Sequence, residues 1–130
     1  MSNLYNAFKN AALTGSIDLI SDSLSVALVN TGYVASNAHA WSSISPSLNS
    51  AAPVTLTGKS VAADGSFSAA PVTFTTVASS GTTIAGAIIY RTGSPNVPIY
   101  FVNVGSGLPI TPNGGDITVN WGAGGKLFTL

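Results

Sequence analysis

The conventional reactive groups of this 130-residue chain are few: one histidine, four aspartates, no glutamate, no cysteine and a single Gly-Lys-Ser triplet. With His39 as the only imidazole, no metal site can be built on several histidines, and a Ser-His-Asp arrangement would rest on that one residue. No G-x-S-x-G turn announces a nucleophilic serine. His39 is therefore expected as an exposed loop residue or a hydrogen-bonding group at an interface. Asp18 and Asp22 come nearest to a carboxylate pair, but such pairs divide acid and base roles only where burial or a neighbour separates their pKa values. Asp18 is read as turn chemistry beside Gly15-Ser16, and Asp22 as the polar lead into a strand. Gly58-Lys59-Ser60 ends like a phosphate-cradling loop, yet the required first glycine falls on Pro53 and no helical pattern follows; Lys59 is expected as a solvated strand charge. Asp116 follows Asn113-Gly114-Gly115 and offers one carboxylate where calcium takes roughly six to eight oxygens, so a turn role accepting backbone N–H groups is expected. Trp41, Trp121, Tyr33, Tyr90 and Tyr100 could line a sugar site, although Tyr90, Tyr100 and Trp121 lie on strand-like segments and suit a core or interface. These groups point away from an enzyme and imply no cofactor, metal or small-molecule substrate.

Composition narrows the classes further. Charged residues are 6% of the chain and balance to zero, against about 25% in ordinary soluble domains. That leaves no electrostatic footprint for nucleic acid or an acidic membrane. The absence of cysteine removes disulfide frameworks, thiol catalysis and zinc-thiolate sites. Mean hydropathy is positive at +0.43, but the longest apolar run, Ile84 to Tyr90, is too short to cross a bilayer. The opening MSNLYNAFKN is interrupted by Asn6, Lys9 and Asn10, so no signal-peptide core is expected and the chain reads as made and used without export. Net charge near zero favours self-association. A surface normally covered by partner chains is the expected remedy.

The elements that position these residues follow from periodicity. Leu4, Ala7, Phe8, Ala11 and Ala12 recur at helical spacing and Gly15 stands at the cap, which predicts one short amphipathic helix over Ser2 to Leu13. Leu24, Val26 and Leu28 alternate as a first strand ending at Asn30-Thr31-Gly32. Tyr33 to Pro53 is Ser-, Ala- and Asn-rich, with Trp41, Ile44 and Leu48 as isolated anchors and room for one helical turn around Trp41. It reads as a long surface excursion whose function is contact with another chain. Val54 to Ala62 predicts a strand or bent pair broken at Gly58; Asp64-Gly65 and Ser79-Ser80-Gly81 are turns; Phe67, Val72 to Thr76, Thr83 to Tyr90 and Ile99 to Val104 are strands, with Thr83 to Tyr90 central. In Gly107 to Leu130, Pro109 and Pro112 forbid a helix, Ile117, Val119 and Trp121 share one face, and Leu127 to Leu130 ends the chain, a span read as a sandwich-closing hairpin. The expectation is one all-β domain over residues 1–130, an antiparallel β-sandwich of jelly-roll type with seven to nine short strands and one N-terminal helix.

The run Gly107-Leu108-Pro109-Ile110-Thr111-Pro112-Asn113-Gly114-Gly115-Asp116-Ile117-Thr118-Val119, with Trp121 and Lys126-Leu127-Phe128 after it, resembles a family of small tailed-bacteriophage virion proteins. The helix into Gly15, Ile17-Asp18 to Asn30, Leu56-Thr57-Gly58-Lys59 and Ala87-Ile88-Ile89-Tyr90 extend the resemblance over nearly the whole chain. It implies a head decoration, or cement, protein: a small β-sandwich, often trimeric, on the outer surface of the phage head, assembled in the host cytoplasm and tying major capsid subunits together. Leu4, Phe8, Tyr33, His39, Trp41 and Ile44 are the candidate interface residues, drawn from the helix and the excursion. The alternatives are a tail-associated virion protein and a carbohydrate-binding adhesion module. This chain carries fewer charges than the family leads one to expect.

Overall fold

The computed structural model describes residues 4–79, 82–93, 95–102 and 108–129. Nine strands run through them: β1 Leu24–Asn30, β2 Val54–Thr55, β3 Ser60–Val61, β4 Ser66–Ser68, β5 Val72–Phe74, β6 Ile84–Arg91, β7 Val97–Val102, β8 Ile117–Val119 and β9 Lys126–Thr129. Two short helices accompany them, α1 Asn6–Leu13 and α2 Trp41–Ile44. All named strand pairs are antiparallel, in sheets ordered β2-β1-β6-β7, β3-β4-β9 and β5-β8. The chain is all-β.

The long strands explain the architecture. β6 (IAGAIIYR) is apolar almost throughout, so it has no face to give to water. It lies between β1 and β7, with Val26 opposite Ile89 and Ala27 opposite Ile88. Side chains alternate across a strand, and the two faces of this sheet feed two different cores. Leu24, Val26, Leu28, Ala87 and Ile89 join Phe8, Phe67, Phe74, Val119, Trp121 and Phe128 in the larger core. Ala27, Val29, Ile88, Tyr90 and Phe101 join Tyr5 and Ile44 in the smaller one.

Three of the pairings are nested. β6 pairs with β7, β5 with β8, and β4 with β9, so each pair encloses the previous one in sequence. This corrects the expected C-terminal hairpin: β8 and β9 bond to different strands, β5 and β4. The cause lies at 122–125. Gly122 N–H donates to the Lys126 carbonyl, and Gly124 and Gly125 hold φ of 70° and 80°. A Cβ on Gly125 would sit 2.7 Å from the Ala69 oxygen, so only glycine lets this turn lie against the chain entering β5.

Several other expectations are refined. The helix begins at Asn6, because Leu4 is bridged to Tyr100 and Tyr5 N–H donates to the Ile99 carbonyl, which keeps the chain extended until Tyr5. Ser2 lies outside the described residues, as do Ser80, Gly81, Val104, Gly107 and Leu130. The turn around Trp41 is present as α2, followed by a 3-10 turn at Ser45–Ser47. The break at Gly58 (φ 64°) separates β2 and β3, which enter different sheets. Lys59 is a correction: its ammonium donates to the Asp22 carbonyl at 2.6 Å and is only part-exposed, so it ties the β2–β3 connection to the segment before β1.

Candidate interaction surface

The carboxylates settle into turn roles. Asp18 Oδ1 accepts the Ile20 and Ser21 N–H groups at 2.9 and 3.2 Å, and Asp22 Oδ2 accepts the Asp18 N–H at 2.9 Å. Those backbone bonds hold the Asp18 carboxyl below its ordinary range. Asp64 is lowered likewise by the Ser66 hydroxyl and N–H, which it accepts across the β3–β4 turn. Asp116 Oδ1 accepts the Thr76 N–H at 2.9 Å and clasps the end of β5 to the start of β8. Each acidic group is thus spent on backbone. Among the described residues no cluster of three or more His, Cys, Asp or Glu could hold a metal ion.

Polar side chains converge elsewhere, over the smaller core. The segment following β1 does not leave the domain but folds back across the outer face of the four-stranded sheet. Tyr33, Ala35, Trp41 and Leu48 pack there around buried Ile44. Backbone bonds fasten it at intervals: Asn49 N–H to the Leu28 carbonyl at 2.8 Å, and Asn6 N–H to the Asn37 carbonyl at 2.8 Å. This is why β1 buries every residue from Leu24 to Val29, where alternation alone predicts one wet face. Gly86 makes room for the covering: a Cβ there would strike the Val102 carbonyl and stand 2.7 Å from the Phe101 ring. Phe101 in turn meets Tyr33 edge-on with ring centres 5.4 Å apart.

At this cover the two tyrosines and the histidine form one hydrogen-bonded chain. Tyr5 Oη lies 2.8 Å from Tyr33 Oη, which lies 2.8 Å from His39 Nδ1. Burial lifts Tyr5 far above the ordinary phenol range, and the bond to Tyr33 adds to that; Tyr33 is raised by burial too, partly offset by its bonds with Tyr5 and Ser36. Both phenols therefore stay protonated at neutral pH. Tyr33 Oη stands between the other two groups and can donate to one while accepting from the other. With no carboxylate among these three residues and both phenols neutral, the arrangement is a fastening. Nearby, Trp41 packs against Tyr90 in a tilted contact, 4.4 Å between ring centres, and lines a shallow, largely apolar hollow with Ala7, Pro95, Val97 and Pro98.

Of the six interface residues expected from sequence, four come together at this cover: Tyr33, His39, Trp41 and Ile44. Leu4 and Phe8 sit in the larger core, where Phe8 meets Phe128 edge-on at 5.7 Å. Leu4, Phe8 and Ile44 are buried within the chain itself. They shape the surface from beneath, and Tyr33, His39 and Trp41 are the ones that reach it. Sequence reasoning missed Tyr5. The signal was available: adjacent Leu4 and Tyr5 are both large and apolar, and neighbours on an extended segment can both be buried only between two cores. Compared with models of protein families, with curated proteins and with solved structures, the chain has no match.

Proposed function

We propose that this chain is a structural virion protein, a decoration or cement protein that binds the outside of a phage head as a homotrimer and braces contacts between major capsid subunits. Its framework in this reading is a jelly-roll-like sandwich, supported by the nested pairing of β4 with β9, β5 with β8 and β6 with β7. The observation that carries the functional reading is the investment of the fold. A chain with 6% charged residues covers both faces of its main sheet and commits its acidic groups to turns. What remains outside is poor in charge and includes large apolar side chains, with Leu13 86% and Val34 80% exposed. Such a surface suits repeated weak contacts that gain strength from many copies. The resemblance of residues 107–119 to phage virion proteins points the same way. Tyr33, Val34, His39 and Trp41 are the residues assigned to the contact, with Leu13 on the exposed end of α1.

Electron cryo-microscopy of particles carrying the protein tests the assignment. Density outside the shell at three-fold and quasi-three-fold positions is the expected result; density confined to the tail moves the protein to a tail-associated role. The Trp41 hollow favours one other reading, a glycan-binding module stacking a sugar on the indole. Glycan-array binding abolished by Trp41→Ala, with no density on the particle, would establish it instead.

A further inference from the structure

We propose that Asn113 is a site of spontaneous covalent modification, at which the side-chain amide closes onto the following peptide nitrogen and is converted to aspartate and isoaspartate. In this reaction the Gly114 nitrogen bonds to Cγ of Asn113 and loses its proton, the side-chain nitrogen leaves as ammonia, and water then opens the cyclic imide at either carbonyl. No cofactor or oxidant is needed. Three features of the turn favour the closure. Asn113, Gly114 and Gly115 are all exposed. Gly114 has φ of 89° and open space where a Cβ would point, so neither a β-carbon of its own nor a neighbouring atom crowds that side of the residue. Asn113 Oδ1 accepts the Gly115 N–H at 3.0 Å, and negative charge develops on that oxygen as the nitrogen attacks Cγ, so the donor stabilises the charged intermediate. Asn113 is also the one asparagine in the chain followed by glycine.

One contact opposes it and sets the rate. The attacking Gly114 N–H is donated to the Val77 carbonyl at 2.9 Å, and Val77 N–H returns a bond to the Gly115 carbonyl at 3.0 Å. The Asp116 carboxylate holds the neighbouring Thr76 N–H in the same clasp. Closure therefore proceeds from a local opening at this end of the β5–β8 pair. The product places a carboxylate three residues from Asp116 in a chain of zero net charge, and its isoaspartyl form lengthens the backbone in the turn that starts β8.

The test ages purified full-length protein in mildly alkaline buffer and follows intact mass, peptide mapping and isoaspartate content. The expected result is a one-dalton gain confined to Asn113, abolished in Asn113→Gln. Asp116→Ala, which releases the Thr76 side of the clasp, should speed the gain about tenfold, the loss of one charge-assisted hydrogen bond from the closed state. Circular dichroism of both variants confirms that they remain folded. Folded protein that gains mass no faster at Asn113 than at its other asparagines overturns the proposal. Modification at Asn113 with the same rate in Asp116→Ala overturns the control by the clasp.

Discussion

The two faces of the four-stranded sheet are buried by opposite means. The inner face meets other strands and α1, and its core is aliphatic side chains with aromatic rings: Phe128 meets Phe8 edge-on at 5.7 Å and Phe67 in a tilted contact at 5.4 Å. The outer face meets a connecting segment with a single helical turn, and its core ends in polar tips: Tyr5, Tyr33, Tyr90 and the half-buried Trp41. Dry packing can be supplied by regular strands because their backbone bonds are already made. A loop has no ladder and must satisfy its backbone and hydroxyl groups one by one, hence the Asn49–Leu28 and Asn6–Asn37 bonds and the Tyr5–Tyr33–His39 chain. The outer core is therefore a cover fastened at points, and the inner core a filled volume.

Truncating one large ring on each side sharpens this contrast most. Phe8→Ala opens a cavity in the inner core and is expected to cost about 4 kcal/mol. Trp41→Ala removes a ring at the margin of the outer core and should cost about 2 kcal/mol; urea unfolding measures both, and equal losses would erase the distinction. Gly86→Ala probes the join between sheet and cover. The added methyl has backbone on one side and the Phe101 ring on the other, so a loss of about 3 kcal/mol is expected. Tyr33→Phe keeps the ring on Phe101 and deletes the hydroxyl at the centre of the chain, stranding the buried Tyr5 hydroxyl. It should cost about 1 to 2 kcal/mol, with Tyr5→Phe/Tyr33→Phe together costing less than the sum of the two.

Alkaline pH acts on the same asymmetry. Tyr5, Tyr33, Tyr90 and Tyr100 are all raised, chiefly by burial. A phenol whose folded pKa exceeds its unfolded value contributes stability fully below about pH 10, and loses it as the unfolded chain ionises above that. Three of the four belong to the outer core or pack against it. Stability should thus fall above about pH 10, and fall less steeply in Tyr5→Phe. An unchanged slope in that variant would show that Tyr5 is not protected from ionisation.

How far the sequence reveals this depends on which face is considered. The strands β1, β5, β6 and β8 are legible because alternation or apolar runs report burial locally, and the turns at Asp18, Gly58, Asp64-Gly65 and Asp116 because Asp and Gly have specific backbone uses. The outer cover is legible only as scattered anchors: Trp41, Ile44 and Leu48 carry no period, so where they land depends on the tertiary path. The Tyr5–Tyr33–His39 chain joins residues 28 and 6 apart in sequence, and nothing local marks such pairs. The C-terminal strands mislead for a related reason. Adjacent strands with a glycine-rich link suggest a hairpin, but Gly125 lies against Ala69 and sends β9 to β4.

Native-state hydrogen exchange tests most directly whether residues 33–53 are a cover that belongs to the fold. The Asn6 and Asn49 amides, bonded to Asn37 and Leu28, should be strongly protected in the free protein. Trp41→Ala should lower both while Ile89 in β6 keeps its protection. Asn6 and Asn49 amides that exchange as freely as an unfolded chain in the wild type would contradict the account, and would return the segment to a free arm that orders only on a partner.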